Sequence, residues 1–195
     1  MITREQALKL IEEHIENKNT IKHMLELEAV MGALWEELGR RESKELGGTK
    51  EEYMIAGLLH DGDYCDSVPA KKQGIQIGKW AKGKGYDLPE NVCHAMAAHN
   101  WANTKIAPKS LMDWSILSAD SLTGLIIACA LVLPSKKLAD VSPEMILKKF
   151  NQPSFAGGTR RDDIKMCEEK LNLKLAEFIK ISLQAIQTIS NEIGL

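Results

Sequence analysis

Apolar residues recur at helical spacing along most of the chain. Ala7, Leu8, Ile11 and Ile15 follow Thr3, a residue suited to cap a helix start, and they predict a first helix. The polar run Asn17-Lys18-Asn19-Thr20 interrupts that stripe. A second helix is predicted from about Ile21, with Met24, Leu27, Val30, Met31, Leu34, Trp35 and Leu38 on its apolar face and His23 in its first turn. Gly39 and the pair Gly47-Gly48 mark the loop expected after it. Thr49-Lys50-Glu51-Glu52 has the spacing of a capping box and opens a helix through Tyr53, Ile55 and Leu58. A helix over 71–82 carries Ile75, Ile77 and Trp80, and the glycines of 82–86 turn the chain. Pro89 suits the first turn of a helix over 90–100. Pro108 and Ser110 set up a long helix over 111–133, ended by Pro134. Ser142-Pro143-Glu144 begins a short helix ending near Phe150, a loop follows over 151–158, and closing helices are predicted over 161–170 and 173–193.

This pattern has no strand signal, no internal repeat and no linker, so the expected fold is an all-α, single-domain helical bundle over 1–195. The low aromatic content, 5%, and the scarcity of β-branched runs point the same way. The formal net charge of −2 gives no electrostatic argument for a nucleic-acid polymer or an anionic membrane surface. The most apolar stretch, 116–133, contains Asp120, Ser118, Ser121 and Thr123, and reads as a buried core helix rather than a membrane span. Cys65, Cys93, Cys129 and Cys167 form no CxxC pair. They read as reduced thiols, and with no signal-peptide pattern at Met1-Ile2-Thr3-Arg4-Glu5 a cytoplasmic location is expected.

The candidate chemistry centres on Ala56-Gly57-Leu58-Leu59-His60-Asp61-Gly62-Asp63, an apolar helical segment ending in an imidazole beside a carboxylate. Neighbours on a helix point about 100° apart, but at a helix end the backbone can turn and bring both side chains to one ion. Gly62 is expected to permit that turn. Asp120 lies amid Ile116, Leu117, Leu122, Leu125 and Ile126, where a carboxylate needs a cation: a metal ion, or equally an Arg or Lys partner. His23 and Asp120 would complete a mixed nitrogen and oxygen site with His60 and Asp61. Such a donor set suits Mn²⁺, Fe²⁺, Co²⁺, Ni²⁺ or Mg²⁺ and needs no cysteine.

The order of these residues resembles the HD-domain superfamily of metal-dependent phosphohydrolases. The resemblance rests on His23 on an early helix, the pair in Gly57-Leu58-Leu59-His60-Asp61, and Asp120 in Ile116-Leu117-Ser118-Ala119-Asp120-Ser121-Leu122. It covers about 21–133, with about 142–195 as a C-terminal helical extension. It implies that His23, His60, Asp61 and Asp120 ligate a divalent metal, with Asp61 bridging metal and nucleophile in the hydrolysis of a small phosphate compound such as a nucleotide. Members with a second metal carry further histidines after the pair. His99 in Ala97-Ala98-His99-Asn100 matches one of them, while Pro69-Ala70-Lys71-Lys72-Gln73-Gly74 lacks the other. One metal per chain is therefore expected, with His99 as a phosphate or water contact and secondary ligand. The missing histidine also supports the alternative of a catalytically silent HD fold serving as a ligand sensor or partner-binding module.

Three further features have more than one reading. Asp63 could orient a ligand histidine or act as general base, or it could be a solvated loop carboxylate. His94 sits about 140° round the helix from His99 and reads as structural or surface. Arg160 and Arg161, after Gly157-Gly158-Thr159, could clamp a phosphate. The preferred reading is a helix entry with both arginines paired to Asp162, Asp163 or Glu168.

Overall fold

The computed structural model describes residues 1–41 and 46–195. Among the described residues the fold is all-α, with eleven α-helices and no strand. They are α1 (Arg4–Glu12), α2 (Lys18–Arg41), α3 (Lys50–Leu59), α4 (Gln76–Gly83), α5 (Glu90–His99), α6 (Trp101–Thr104), α7 (Leu111–Leu131), α8 (Pro143–Phe150), α9 (Arg161–Lys170), α10 (Leu175–Thr188) and α11 (Ser190–Ile193).

Local chemistry starts the main helices where the sequence suggests. Thr3 with Gln6, Thr49 with Glu52, and Ser110 with Asp113 each form a reciprocal capping box. Ser142 accepts the Met145 N–H at the head of α8. The helix boundaries that differ are instructive. α2 begins at Lys18, so His23 lies in its second turn, and Gly39 stays inside the helix instead of ending it. Residues 42–45 of the expected loop lie outside the described residues. The helix expected over 71–82 begins only at Gln76, because Gly74 takes a left-handed φ of 84° and breaks the run after one 3-10 turn. The closing helix splits at Ile189 into α10 and α11.

α7 forms the axis of the bundle, packed against α2, α5 and α9. Ile116, Leu122, Leu125 and Ile126 are fully buried on it. By length and composition α7 could cross a membrane, yet most of its apolar window is covered by the other helices. α2 and α3 make the most extensive helix pair. Gly57 sets their separation: a Cβ there would stand 2.8 Å from the Leu27 carbonyl oxygen. This close approach seats the end of α3 one turn from His23.

Candidate metal centre

Four elements deliver the site. α2 carries His23. His60 is the C-cap of α3, and Asp61 follows it. His99 is the last residue of α5, and Asp120 lies midway along α7. His60 has ordinary right-handed backbone (φ −54°, ψ −40°), and Gly62 is not among the positive-φ glycines. The expected role for Gly62 in turning the chain is therefore replaced by a packing role, since a Cβ there would meet Ile77 Cδ1 at 2.9 Å.

Five sequence-predicted residues come together. His23 Nε2 stands 3.2 Å from His60 Nε2 and 3.1 Å from Asp120 Oδ1. Asp61 Oδ2 lies 3.5 Å from His60 Nε2 and 3.9 Å from His23 Nε2, while Asp61 Oδ1 lies 3.3 Å from His99 Nε2. The three imidazoles form a row, with ring centroids 5.0 Å apart for His23 and His60 and 4.9 Å for His60 and His99. His23, His60 and Asp61 form a trio whose ligand atoms all lie within 4.8 Å of one another. Donors about 2.1 Å from a shared ion stand roughly 3.0–3.5 Å apart in octahedral or tetrahedral geometry. Two of the trio's separations, 3.2 and 3.5 Å, fall in that range, and the third, from His23 to Asp61, is longer at 3.9 Å.

The hydrogen bonds fix which nitrogen of each ring is free. His60 Nδ1 lies 2.9 Å from the Gly57 carbonyl oxygen, and His99 Nδ1 lies 2.5 Å from that of Met96. A carbonyl can only accept, so both Nδ1 atoms carry the proton. Thr123 donates its hydroxyl hydrogen to the Asp120 carbonyl and stands 3.0 Å from His23 Nδ1, so it accepts from that nitrogen. The Nε2 lone pairs of His23 and His60 then face each other, that of His99 faces Asp61, and Asp61 and Asp120 lie among them. Lone pairs at these distances repel unless a cation lies among them, either protons or a metal ion. A ring tied off at Nδ1 and open at Nε2 is the usual arrangement of a metal-ligating histidine.

A proton on His23 meets that need in part. Burial alone would lower the His23 pKa, but the bond to Asp120 and the charges of Asp120, Asp61 and Glu26 outweigh it and hold it up at about 9. Burial raises the Asp120 carboxyl, and the His23 bond and charge overcome this and hold it well below the carboxylate range. Asp61 is lowered in the same way, against burial, by His60 and His99. A raised imidazole pKa means that the charged form stabilises the fold below the ordinary value of 6.5, and that this contribution is lost as pH rises through about 9. Metal and proton compete for the same Nε2. Affinity for Mn²⁺ is therefore expected to rise between pH 6.5 and about 9, by roughly tenfold per unit for one displaced proton. Calorimetric titration at three pH values in that window checks this, and a flat profile would show that the ion does not displace the His23 proton.

Other candidates lie apart. Asp63 is fully buried, and its two oxygens accept the backbone N–H groups of Gly74 at 2.7 Å and Ile77 at 2.8 Å. Burial raises its pKa against those two bonds. Asp63 thus anchors the entry to α4, contrary to the solvated-loop alternative, and its carboxylate makes no hydrogen bond or ion pair with the five clustered side chains among the described residues. His94 reaches Asp113 Oδ2 at 3.0 Å, a structural tie between α5 and α7. Arg161 bonds the carbonyls of Phe150, Gln152 and Phe155 instead of a carboxylate.

The sequence reading missed two partners of the cluster. Thr123 orients His23 from one turn beyond Asp120 on α7, so an i,i+3 search from Asp120 would have found it. Arg160 pairs with Asp163 at 2.6 Å, as expected, and also places Nη2 2.7 Å from Asp120 Oδ2. The cation expected beside Asp120 is therefore partly an arginine. No local signal joins residues 120 and 160, because 40 positions and the whole of α8 separate them. A cleft of about 360 Å³ opens here, lined by His23, Asp120, Ser121, Gly124, Thr159 and Arg160, among others. Clefts of about 460 and 520 Å³ lie elsewhere and are lined by none of the five clustered residues.

No protein-family model, curated protein or solved structure matches the chain.

Proposed function

We propose that this chain is a cytoplasmic, metal-dependent phosphohydrolase of the HD-domain type, acting on a small phosphate compound. The observation that carries this reading is the convergence of three Nε2 lone pairs with Asp61 and Asp120, each ring being tied off at Nδ1. His23, His60, Asp61 and Asp120 would hold the ion, and His99 stands ready as a further ligand. A divalent ion supplies two things to such chemistry, an acidified water and neutralisation of charge on a phosphoryl oxygen. Asp61 reaches all three imidazoles through its two oxygens, so it is placed to orient the attacking water and hold its proton. His60 is fully buried, whereas Asp61 and Asp120 keep 20% and 15% side-chain exposure, so substrate reaches the carboxylate side.

Arg160 on Asp120 supports a second reading, in which the arginine completes the charge balance and the domain binds a ligand without turnover. Elemental analysis of protein purified without chelator, run beside a phosphate-ester panel with Mn²⁺, Fe²⁺, Co²⁺, Ni²⁺ and Mg²⁺, separates the two. The expected result is about one ion per chain and hydrolysis that chelation abolishes and metal restores. Bound ligand without turnover under every metal would establish the sensor. A wild type that takes up no added metal would overturn the enzyme reading.

A further inference from the structure

The segment between α8 and α9 is built around two arginines with separate duties. Arg161 gathers the carbonyls of Phe150, Gln152 and Phe155 at 2.6–3.0 Å and so fixes the first half of the loop. Arg160 leaves the loop in the opposite sense, over the cleft that opens onto His23 and Asp120. Its Nε donates to Asp163 and one N–H of Nη2 donates to Asp120. A guanidinium has five N–H donors. Nη1 and the second N–H of Nη2 have no protein partner among the described residues, and the side chain is 53% exposed.

The rest of the cleft is unobstructed. Gly124 of α7 and Gly157 and Gly158 of the loop line it, and a Cβ at any of the three would meet nothing within 4 Å. The hydroxyls of Ser121 and Thr159 also line it, and neither has a hydrogen-bond partner among the described residues. The cleft thus presents one fixed cation with donors to spare and two free hydroxyls, beside a ligand carboxylate.

We propose that Arg160 recognises the phosphate of the substrate, and that the substrate is a small, hydroxyl-bearing phosphomonoester. The proposal rests on the metal-centre reading above. A monoester presents three equivalent oxygens, so one can face the ion site while two engage the planar fork of Arg160. A diester has only two such oxygens, and its second substituent would have to share a cleft of about 360 Å³. Ser121 and Thr159 are placed to bond hydroxyls of the organic part.

The test is calorimetric titration of the Mn²⁺-loaded full chain with inorganic phosphate and with ribose 5-phosphate, with metal content measured on every sample. Arg160→Ala is expected to weaken phosphate binding by about 10–100-fold with metal content unchanged. Arg160→Lys restores only part of the loss, because an ammonium is a point charge without a fork. Gly124→Leu fills the cleft away from the guanidinium, so it is expected to weaken ribose 5-phosphate while leaving inorganic phosphate within about threefold of wild type. Phosphate binding by Arg160→Ala within about threefold of wild type, metal retained, would overturn the proposal and leave the metal centre standing. Loss of metal in Arg160→Ala would overturn it too, by making the arginine part of the ion site's framework. A wild type that takes up no metal removes both readings together.

Discussion

His60→Ala is expected to abolish metal binding and turnover together. His60 sits in the middle of the imidazole row, 3.2 Å from His23 Nε2 and 3.5 Å from Asp61 Oδ2, so its removal takes away the donor shared by both halves of the cluster. Loss of an outer-shell partner costs 10–100-fold in affinity, and loss of a direct ligand is expected to exceed about 100-fold. The substitution also leaves the Gly57 carbonyl without its Nδ1 donor and opens a small buried void. This has a separate cost of about 1–3 kcal/mol. Thermal unfolding with and without Mn²⁺ keeps the two effects apart. With chelator, the variant melts a few degrees below wild type. With Mn²⁺, wild type gains about 2.7 kcal/mol at a free concentration one hundred times its Kd, and the variant gains almost nothing. An equal Mn²⁺-dependent rise in Tm for both proteins would show that His60 is not a ligand.

Gly74→Ala is expected to be the most damaging single methyl addition near the site. Gly74 has φ 84°, where a side chain costs about 1–2 kcal/mol. Its Cβ would stand 2.3 Å from the Met96 carbonyl oxygen and 3.3 Å from His99 Cε1. Backbone must shift, which adds about 1–3 kcal/mol. That carbonyl is the acceptor that orients His99, and the Gly74 N–H is held by Asp63, so displacement reaches the imidazole row as well as the start of α4. A loss of about 2–5 kcal/mol is expected in urea unfolding, a large share of the stability of an ordinary domain. A change below about 0.5 kcal/mol would mean that the chain can relieve this contact at no cost.

What the sequence made legible was what short-range chemistry encodes. The capping pairs at Thr3, Thr49 and Ser110 are readable because both partners lie three residues apart. Asp120 could be nominated because a carboxylate amid apolar helix needs a partner, the His60-Asp61 pair because it ends an apolar helical segment, and His23 through the family resemblance; the structure gathers them with His99. Asp63 shows the limit. Its position two residues after the pair suggested chemistry, but its partners are the backbone amides of Gly74 and Ile77, and no side-chain pattern advertises a backbone amide. The late start of α4 was hidden for the same reason. Gly39 carries the opposite lesson: a glycine just past a strong apolar stripe can remain helical, and α2 continues beyond it to Arg41. Arg160 was visible as a charge, but its contact with Asp120 depends on how the loop before α9 folds back over α7, a long-range fact with no periodicity to read.

The placement of two histidines at helix ends has an electrostatic consequence that does not depend on any carboxylate. His60 caps α3 and His99 closes α5, so both helices direct their C-termini at one point. Aligned peptide dipoles place about half a negative charge at each such end. The Gly57 and Met96 carbonyls that hold the two rings belong to those same last turns. The backbone therefore contributes a standing negative potential where the lone pairs meet. Part of the preference for a cation belongs to the architecture, and it would persist in a chain whose Asp61 or Asp120 had been neutralised.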